Sequence, residues 1–317
     1  MKLGFIGAGY MAQEHAKAFK YLGCQVSAVT SRFGSPNLIE FQKQFDGSKI
    51  YNSWFEMISS KTLDAIVVCT PPEFSTETFP LLLSNGVPAL IEKPGALDSK
   101  DLEVLTRGNN KIHFAYNRRF YESILQLRNL VSKRGFFNFE LVELDVKSKL
   151  DRIQILKTNS VHMLDLIRFL IPEPTLNYVF SDPSGSNLIY TIDDLEGSSV
   201  GFLRVSFGAT RNQQIKWDAG NLSATIKPIE CLTIANSFEI SEPTAEIPIR
   251  RYVPKMAKSD YPASVIVDAK FKPGILGQAV EFLNLVSNPS TNQSTLLAKP
   301  IDAFEALQMA EKISKNL

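Results

Sequence analysis

Cysteine is scarce in this chain, and the few thiols stand far apart. Cys24, Cys69 and Cys231 are the only cysteines among 317 residues, and the first two lie in or beside apolar, strand-like segments. An odd number of cysteines at such spacing is not typical of a disulfide framework or of a thiolate metal site. We therefore expect a protein of the reducing cytoplasm that holds no metal.

An excess of charge of one sign and long apolar runs are also lacking. The chain has 34 lysines and arginines against 33 aspartates and glutamates, and no run of like charge offers a surface to a nucleic-acid backbone or an anionic membrane. No stretch of about eighteen apolar residues, the length that spans a bilayer, occurs. The N-terminal apolar stretch is interrupted by Gly7 and Gly9 and has no cleavage site, so we interpret it as a strand. These absences favour a soluble protein with a small-molecule partner.

Up to about residue 118, short apolar runs alternate with stretches of helical periodicity. This pattern is typical of a parallel sheet covered by helices. The predicted strands are Leu3–Ile6, Val26–Val29, Ala65–Cys69, Ala89–Ile91 and Ile112–Ala115, and the predicted helices lie near 11–21, 75–84 and 99–107.

Beyond residue 118 the apolar residues alternate with polar ones, which indicates an antiparallel sheet with one open face. The alternation is clear at 142–147 and 202–207, and further strands are predicted near 176–181, 187–192, 221–227 and 231–240. Two helices with one apolar face each end the chain. A length of 317 residues suits two domains. We predict an α/β protein with domains over 1–118 and 119–317, the second an α+β domain with a large, mostly antiparallel open sheet, and with the C-terminal helix packing back on the first domain.

A dinucleotide-binding motif follows the first predicted strand. Gly7-Ala8-Gly9-Tyr10-Met11-Ala12 fits the pattern G-x-G-x-x-G/A between a strand and a helix. Gly7 permits the tight turn, Gly9 lets the backbone approach a diphosphate, and the small Ala12 allows close contact of helix and strand. The diphosphate then lies at the positive end of the helix. The alternative is a chance pair of glycines in a strand-to-helix turn, but the ordered context favours a Rossmann domain with Tyr10 and Met11 beside the cofactor.

The end of the second strand indicates which nicotinamide cofactor is bound. Sites specific for NAD usually place an acid there, and this chain has Thr30-Ser31-Arg32. Ser31 can donate to a 2′-phosphate and Arg32 can pair with it. We therefore predict a preference for NADP(H), with NAD(H) as the alternative if Arg32 is an ordinary solvated charge.

Three further motifs stand at the ends of predicted strands or in the second domain. Thr70-Pro71 ends one strand, Glu92-Lys93-Pro94 ends the next, and Asn117–Phe120 leaves the last strand of the first domain. With the glycine motif and His162-Met163-Leu164-Asp165, they give the chain a resemblance to the glucose-fructose oxidoreductase and inositol dehydrogenase family (Gfo/Idh/MocA) that runs almost from end to end.

The resemblance implies an oxidoreductase that interconverts a hydroxyl and a keto group on a sugar, cyclitol or nucleotide-linked sugar. Lys93 matches the family lysine that contacts the reacting oxygen, and His162 matches the histidine that acts as acid or base. Thr70, Pro71 and Glu92 would lie beside the cofactor, and Asn117 and Arg119 would line the substrate side. A homodimer or homotetramer through the open sheet is also implied.

The two catalytic assignments are chemically sensible. A cation stabilises charge on an alcohol oxygen, and a group that titrates near neutrality can take the proton. Asp165 lies three residues after His162, so on a helix its carboxylate is expected to orient the imidazole ring. The other reading of His162 is a packed histidine at a helix start. His15 and His113 are expected to serve packing.

The chain also departs from the family at two positions. Thr158 stands where the family usually has an acid four residues before its histidine, and Ser75 stands near the place of a histidine that often follows Thr-Pro. A hydroxyl can hydrogen-bond a substrate but carries no charge at neutral pH. Three explanations for the missing acid stay open: a different substrate orientation, a catalytic role carried by Lys93 and His162 alone, or loss of activity. The last would make the chain a catalytically silent NADP(H)-binding sensor or assembly protein, and another carbonyl or imine substrate is a further alternative.

Overall fold

The computed structural model describes residues 1–32, 35–107, 111–131, 135–144, 149–258, 270–288, 294 and 296–317. The chain divides into two compact units. The first unit contains residues 1–120, 156–165 and 267–313, and the second contains 121–155, 166–266 and 314–317. Within the described residues, no helix combines the length and the apolarity that crossing a membrane requires.

The first unit is built on a six-stranded parallel sheet. Its strands are β1 (Lys2–Ile6), β2 (Gln25–Thr30), β3 (Lys49–Ile50), β4 (Ala65–Val68), β5 (Ala89–Ile91) and β6 (Ile112–Phe114), in the order β3-β2-β1-β4-β5-β6. This is the Rossmann order, and the direction of winding changes between β1 and β4. Ligands bind at the carboxyl ends of the strands beside such a change. The predicted Rossmann domain is confirmed.

The helices of the described residues are α1 (Tyr10–Tyr21), α2 (Pro36–Gln44), α3 (Trp54–Ser59), α4 (Pro72–Ser75), α5 (Phe79–Asn85), α6 (Ser99–Thr106), α7 (Glu122–Leu130), α8 (Lys149–Ile155), α9 (Val161–Leu170), α10 (Ile275–Ser287) and α11 (Pro300–Ser314). A π-helical turn, Leu156–Ser160, joins α8 to α9, and a 3₁₀ turn, Asn117–Phe120, follows β6. The helices α2 and α3 are absent from the sequence prediction, because neither segment shows an extended apolar period.

Two segments from late in the sequence complete the first unit. The helix α10 packs on α1, where the Phe19 and Phe282 ring centroids are 6.1 Å apart and both side chains are fully buried. Burying a phenylalanine side chain contributes about 1.5–3 kcal/mol. The helix α11 hydrogen-bonds the start of α6, since Glu311 accepts from the Ser99 backbone N–H at 2.8 Å. The predicted second domain, 119–317, includes residues 156–165 and 267–313, which the structure places in the first unit. The contacts of α10 and α11 explain this placement for residues 267–313.

The second unit contains an eight-stranded sheet. Its strands are β7 (Phe136–Glu143), β8 (Thr175–Ser181), β9 (Asn187–Asp193), β10 (Ser199–Phe207), β11 (Gln214–Asp218), β12 (Ser223–Ile226), β13 (Leu232–Ser241) and β14 (Arg251–Lys258), in the order β14-β13-β12-β11-β7-β10-β9-β8. All neighbours are antiparallel except β7 and β10. The predicted fold class is confirmed. The strand expected at 142–147 begins at Phe136 instead, and residues 145–148 lie outside the described part.

Candidate active site

The glycine turn between β1 and α1 has a conformation that only glycine adopts without strain. Gly7 has φ +101°, and a Cβ atom there would lie 2.5 Å from the Cys69 carbonyl oxygen. The Gly7 N–H donates to the Thr30 carbonyl at 2.8 Å, which joins the ends of β1 and β2. The conformation of the turn itself therefore requires glycine at position 7.

Gly9 has a different environment. It precedes α1 with φ −72°, and a Cβ atom built on it would meet nothing within 4 Å. The protein itself does not need glycine there, whereas a diphosphate that approaches the backbone would. The first amides of α1 also lack intrahelical partners, and Ala12 is fully buried. These residues fit the diphosphate of a dinucleotide.

The end of β2 carries the two residues expected at the adenosine ribose. Ser31 is half-buried and Arg32 is exposed, and the two residues that follow lie outside the described part. The described loop holds no acid at this end of the strand.

The motifs that end β4 and β5 are stabilised by local hydrogen bonds. The hydroxyls of Thr70 and Ser75 are 2.9 Å apart, and Pro71 precedes α4. The Glu92 carboxylate, expected beside the cofactor, lies 2.8 Å from Nε2 of the buried His15. His15, expected only to pack, thus also binds the motif that carries Lys93.

Lys93 is hydrogen-bonded to the segment that precedes His162. Its Nζ atom donates to the Thr158 carbonyl oxygen at 2.8 Å. Thr158 lies in the π-helical turn, where the regular i+4 hydrogen-bond ladder is interrupted and a carbonyl oxygen can accept from another donor. A neutral main-chain oxygen thus binds the ammonium at the position where the resemblance leads one to expect a carboxylate.

His162 is the second residue of α9, and its imidazole is uncharged. The residue is 8% exposed, and its ring lies edge-to-face with Tyr116 at 5.9 Å. Burial lowers the pKa of His162 well below its ordinary value, and the positive charges of Arg118, Lys93 and Lys272 lower this pKa further. Its Nδ1 atom has no hydrogen-bond partner among the described residues. A neutral imidazole can accept a proton.

Asp165 does not orient the His162 ring. Its two carboxylate oxygens accept from Nε and Nη2 of Arg119 at 2.8 and 2.5 Å, and Arg119 Nη1 lies 3.3 Å from Asp302. Arg119 is 3% exposed and Asp165 is 1% exposed. Burial alone would lower the pKa of Arg119, but Asp165 and Asp302 outweigh it and raise this pKa. The ion pair connects α9 to the 3₁₀ turn that contains Arg119. The Asp165 carboxylate therefore binds the guanidinium of Arg119 and not the imidazole of His162.

The other residue expected on the substrate side is also engaged within the unit. Asn117 is 5% exposed, and its Nδ2 donates to the Pro273 carbonyl at 2.8 Å. Asn117 and Arg119 thus both make contacts within the first unit, and their place on the substrate side stays a prediction.

Two residues near the site, Tyr116 and Lys272, have no function predicted from the sequence. Tyr116 packs on His162, and its buried hydroxyl has no partner among the described residues. Lys272 lies with Nζ 3.3 Å from the Met11 sulfur. The motif around Asn117 points to Tyr116, but no local pattern signals a lysine 261 positions from Met11. The described residues contain no cluster of side chains suited to a metal ion.

Comparison with known proteins gives a family match over the N-terminal part of the first unit. The family model of the Gfo/Idh/MocA proteins, described as an oxidoreductase family with an NAD-binding Rossmann fold, matches residues 1–112. An inositol 2-dehydrogenase of Rhodococcus erythropolis is 24% identical over 200 residues, which cover 59% of this chain and 58% of that protein. The chain spans about half the length of the curated relatives it matches.

Two solved structures share the fold over nearly the whole chain. A UDP-N-acetylglucosamine 3-dehydrogenase of Acidithiobacillus ferrooxidans has a TM-score of 0.71 at 17% identity and covers 100% of this chain and 97% of that chain. A levoglucosan dehydrogenase in complex with NADH and L-sorbose has a TM-score of 0.73 at 16% identity, with coverages of 100% and 96%. At such identities the likeness shows the fold alone.

Proposed function

We propose that the chain, whose residues 1–112 match the model of the Gfo/Idh/MocA oxidoreductase family, is an NAD(P)-dependent dehydrogenase that interconverts a hydroxyl and a keto group on a sugar, cyclitol or nucleotide-linked sugar. The observation that carries the proposal is the placement of Lys93. Its ammonium is bound to the turn that precedes the neutral, buried His162. The names of the relatives, an inositol dehydrogenase and a nucleotide-sugar dehydrogenase, support this range of substrates.

The proposed reaction needs one charged and one neutral group from the chain. A bound nicotinamide supplies the acceptor or donor of the hydride. The Lys93 ammonium stabilises the negative charge that develops on the substrate oxygen, and the neutral His162 accepts the alcohol proton in the oxidising direction. The Thr158 carbonyl keeps the ammonium oriented without neutralising its charge.

Replacing Lys93 tests this proposal. Lys93→Met removes the charge that stabilises the oxygen, so kcat should fall by about 10²–10³-fold. Turnover is followed by the absorbance of the reduced nicotinamide over a panel of myo-inositol, levoglucosan and UDP-N-acetylglucosamine. Lys100→Met, a change of an exposed lysine in α6, is the matched control and should keep full turnover. Unchanged turnover in Lys93→Met would contradict the assigned role.

The cofactor preference is proposed to be for NADP(H). Ser31 and Arg32 follow β2, and the exposed guanidinium can pair with a 2′-phosphate. Arg32→Ala should weaken NADPH binding about tenfold and leave NADH binding unchanged. Fluorescence titration of both cofactors measures this difference, and tighter binding of NADH by the unaltered protein would remove the preference.

A catalytically silent cofactor-binding protein is the second candidate function. It is favoured by Thr158, which carries no charge, and by the use of Asn117 and Arg119 in internal contacts. This candidate predicts tight binding of the dinucleotide with no turnover over the whole panel. Turnover of any panel member by the unaltered chain would exclude it.

The three free thiols suit a reducing cytoplasm, which we propose as the location of the protein.

We also propose that copies of the chain assemble through the eight-stranded sheet as a homodimer or homotetramer. Support comes from large apolar side chains exposed at both edges of the sheet, Tyr178 and Phe180 on β8 and Phe238 and Tyr252 on β13 and β14. The Phe238 and Tyr252 rings are 5.8 Å apart, and exposed apolar patches on a protein commonly mark interaction sites. Phe238→Asp should lower the mass measured by light scattering, and an unchanged assembly would contradict this interface.

A further inference from the structure

Lys272 lies at the start of α1, although it is far from this helix in the sequence. Its Nζ atom is 3.3 Å from the Met11 sulfur and 5.7 Å from the centroid of the Tyr10 ring. Tyr10 and Met11 are the first two residues of α1. The lysine is half-buried, whereas Tyr10 is 65% exposed.

The contacts of Lys272 leave its charge uncompensated. A thioether is a weak acceptor and an exposed ring attracts a cation only weakly, and no carboxylate lies within ion-pair distance among the described residues. The amino end of a helix is itself positive, so a cation is unfavourable there unless an anion lies between them. The position of Lys272 therefore favours the binding of a negative group beside the first turn of α1.

The space for that group is next to Gly9. A side chain at Gly9 would touch nothing within 4 Å, and the amides of the first helical turn point toward an anion at this end. The charge of Lys272 also reaches His162, where it contributes to the low pKa of the imidazole.

We propose that Lys272 is a further ligand of the dinucleotide, donating to its diphosphate from the opposite side to the amides of α1. The proposal rests on the dinucleotide binding of the proposed function. The sequence predicts no function for the segment before α10. The proposal assigns it a direct contribution to cofactor affinity. The oppositely charged diphosphate would satisfy both the ammonium and the helix end.

Binding of NADH and of ADP-ribose tests the proposal without any turnover. ADP-ribose carries the diphosphate but lacks the nicotinamide, so a diphosphate ligand affects both probes. Lys272→Met should raise the Kd of both by about tenfold or more, since a charge-assisted hydrogen bond is lost. It should also reduce the weakening of binding by added salt. Lys272→Arg should keep most of the affinity, and Lys270→Met, which changes an exposed lysine of the same segment, should leave it unchanged.

The stability of the variant without ligand gives an independent readout. Because the cation opposes the helix dipole in the absence of an anion, Lys272→Met should melt no lower than the unaltered protein. Wild-type affinity of Lys272→Met for both probes would overturn the proposal, as would a rise in substrate KM alone. If the unaltered chain binds neither NADH, NADPH nor ADP-ribose, the proposed function fails together with this inference. If the unaltered chain binds these probes and Lys272→Met binds them with the same affinity, the proposed function stands and this inference is wrong.

Discussion

The ammonium of Lys93 is bound by the main-chain carbonyl of Thr158, at 2.8 Å. A main-chain oxygen is present whatever side chain residue 158 carries. The chain can therefore hold its lysine beside His162 without the acid that the family resemblance leads one to expect. The cost of this arrangement is local, because a π-helical turn gives up regular helical hydrogen bonds.

Replacing the Thr158 side chain should leave the Lys93 contact intact. Thr158→Val keeps the shape and the carbonyl oxygen while removing the hydroxyl, so kcat should change by less than about threefold if the main chain carries the contact. Steady-state kinetics with the best panel substrate measures this change. Thr158→Ser, which keeps the hydroxyl, is the matched control. A large loss in Thr158→Val with full activity in Thr158→Ser would assign the role to the hydroxyl instead.

The two motif glycines should differ in what their replacement changes. Gly7→Ala puts a Cβ atom against the Cys69 carbonyl at positive φ, so the free energy of unfolding should fall by about 1–3 kcal/mol or more. Gly9→Ala meets no protein atom and should fold normally, yet it fills the diphosphate space and should weaken NADH binding at least about tenfold. Urea unfolding and fluorescence titration of both variants separate the effects. Equal NADH affinity in Gly9→Ala and wild type would argue against this diphosphate position.

The buried Arg119–Asp165 pair should be important for stability. Asp165→Asn leaves the guanidinium partly uncompensated at a site where both residues are almost fully buried, so the free energy of unfolding should fall by about 3 kcal/mol. Equilibrium unfolding in urea measures this loss.

An exposed pair provides the matched control. Arg250 and Glu242 form an ion pair at 2.6 Å with both side chains more than half exposed. Glu242→Gln should therefore leave stability unchanged within error, because solvent screens such pairs. A loss in Glu242→Gln as large as that in Asp165→Asn would show that burial is not the cause.

Acid should destabilise the protein through His113. Burial lowers the pKa of His113 to about 4 in the folded state, against about 6.5 in an unfolded chain. Between these values the unfolded chain binds a proton that the folded chain does not, so the free energy of unfolding falls as pH falls. The loss from this residue should be about 2 kcal/mol between about pH 7 and pH 5.

His113→Leu isolates that contribution. The variant should lose about 2 kcal/mol less than wild type over the same pH interval, whatever its absolute stability. Urea unfolding at the two pH values measures the difference, and His162 contributes with the same sign in both proteins. An identical pH dependence in variant and wild type would exclude His113 as the source.

Most of the fold is predictable from the sequence, because short apolar runs and polar–apolar alternation indicate which strands are buried. The sequence predicts five strands of the first sheet, β1, β2, β4, β5 and β6, to within one residue at each end. The strand β3 has only two residues, both exposed, so no period can reveal it. The parallel pairing of β7 with β10 depends on contacts distant in sequence, which alternation along one strand cannot encode.

The candidate site is predictable only where motifs are local. The glycine turn and the positions of Lys93 and His162 are visible as motifs, and their roles in turnover stay predictions. The i, i+3 spacing on a helix predicts His162 as the partner of Asp165. The observed partner is Arg119, a stronger donor that lies 46 residues away in the sequence. Lys272 reaches Met11 through the tertiary fold, and sequence spacing carries no sign of that contact.

The helix α10 covers the apolar face of α1 from a position more than 250 residues later in the chain. A fragment that stops at residue 120 would therefore leave Phe19 and its neighbours open to water and would lack both Thr158 and His162. Ribosomal synthesis therefore delivers the glycine turn more than 250 residues before the helix that buries its support. The nucleotide-binding unit becomes whole only after α10 has been synthesised.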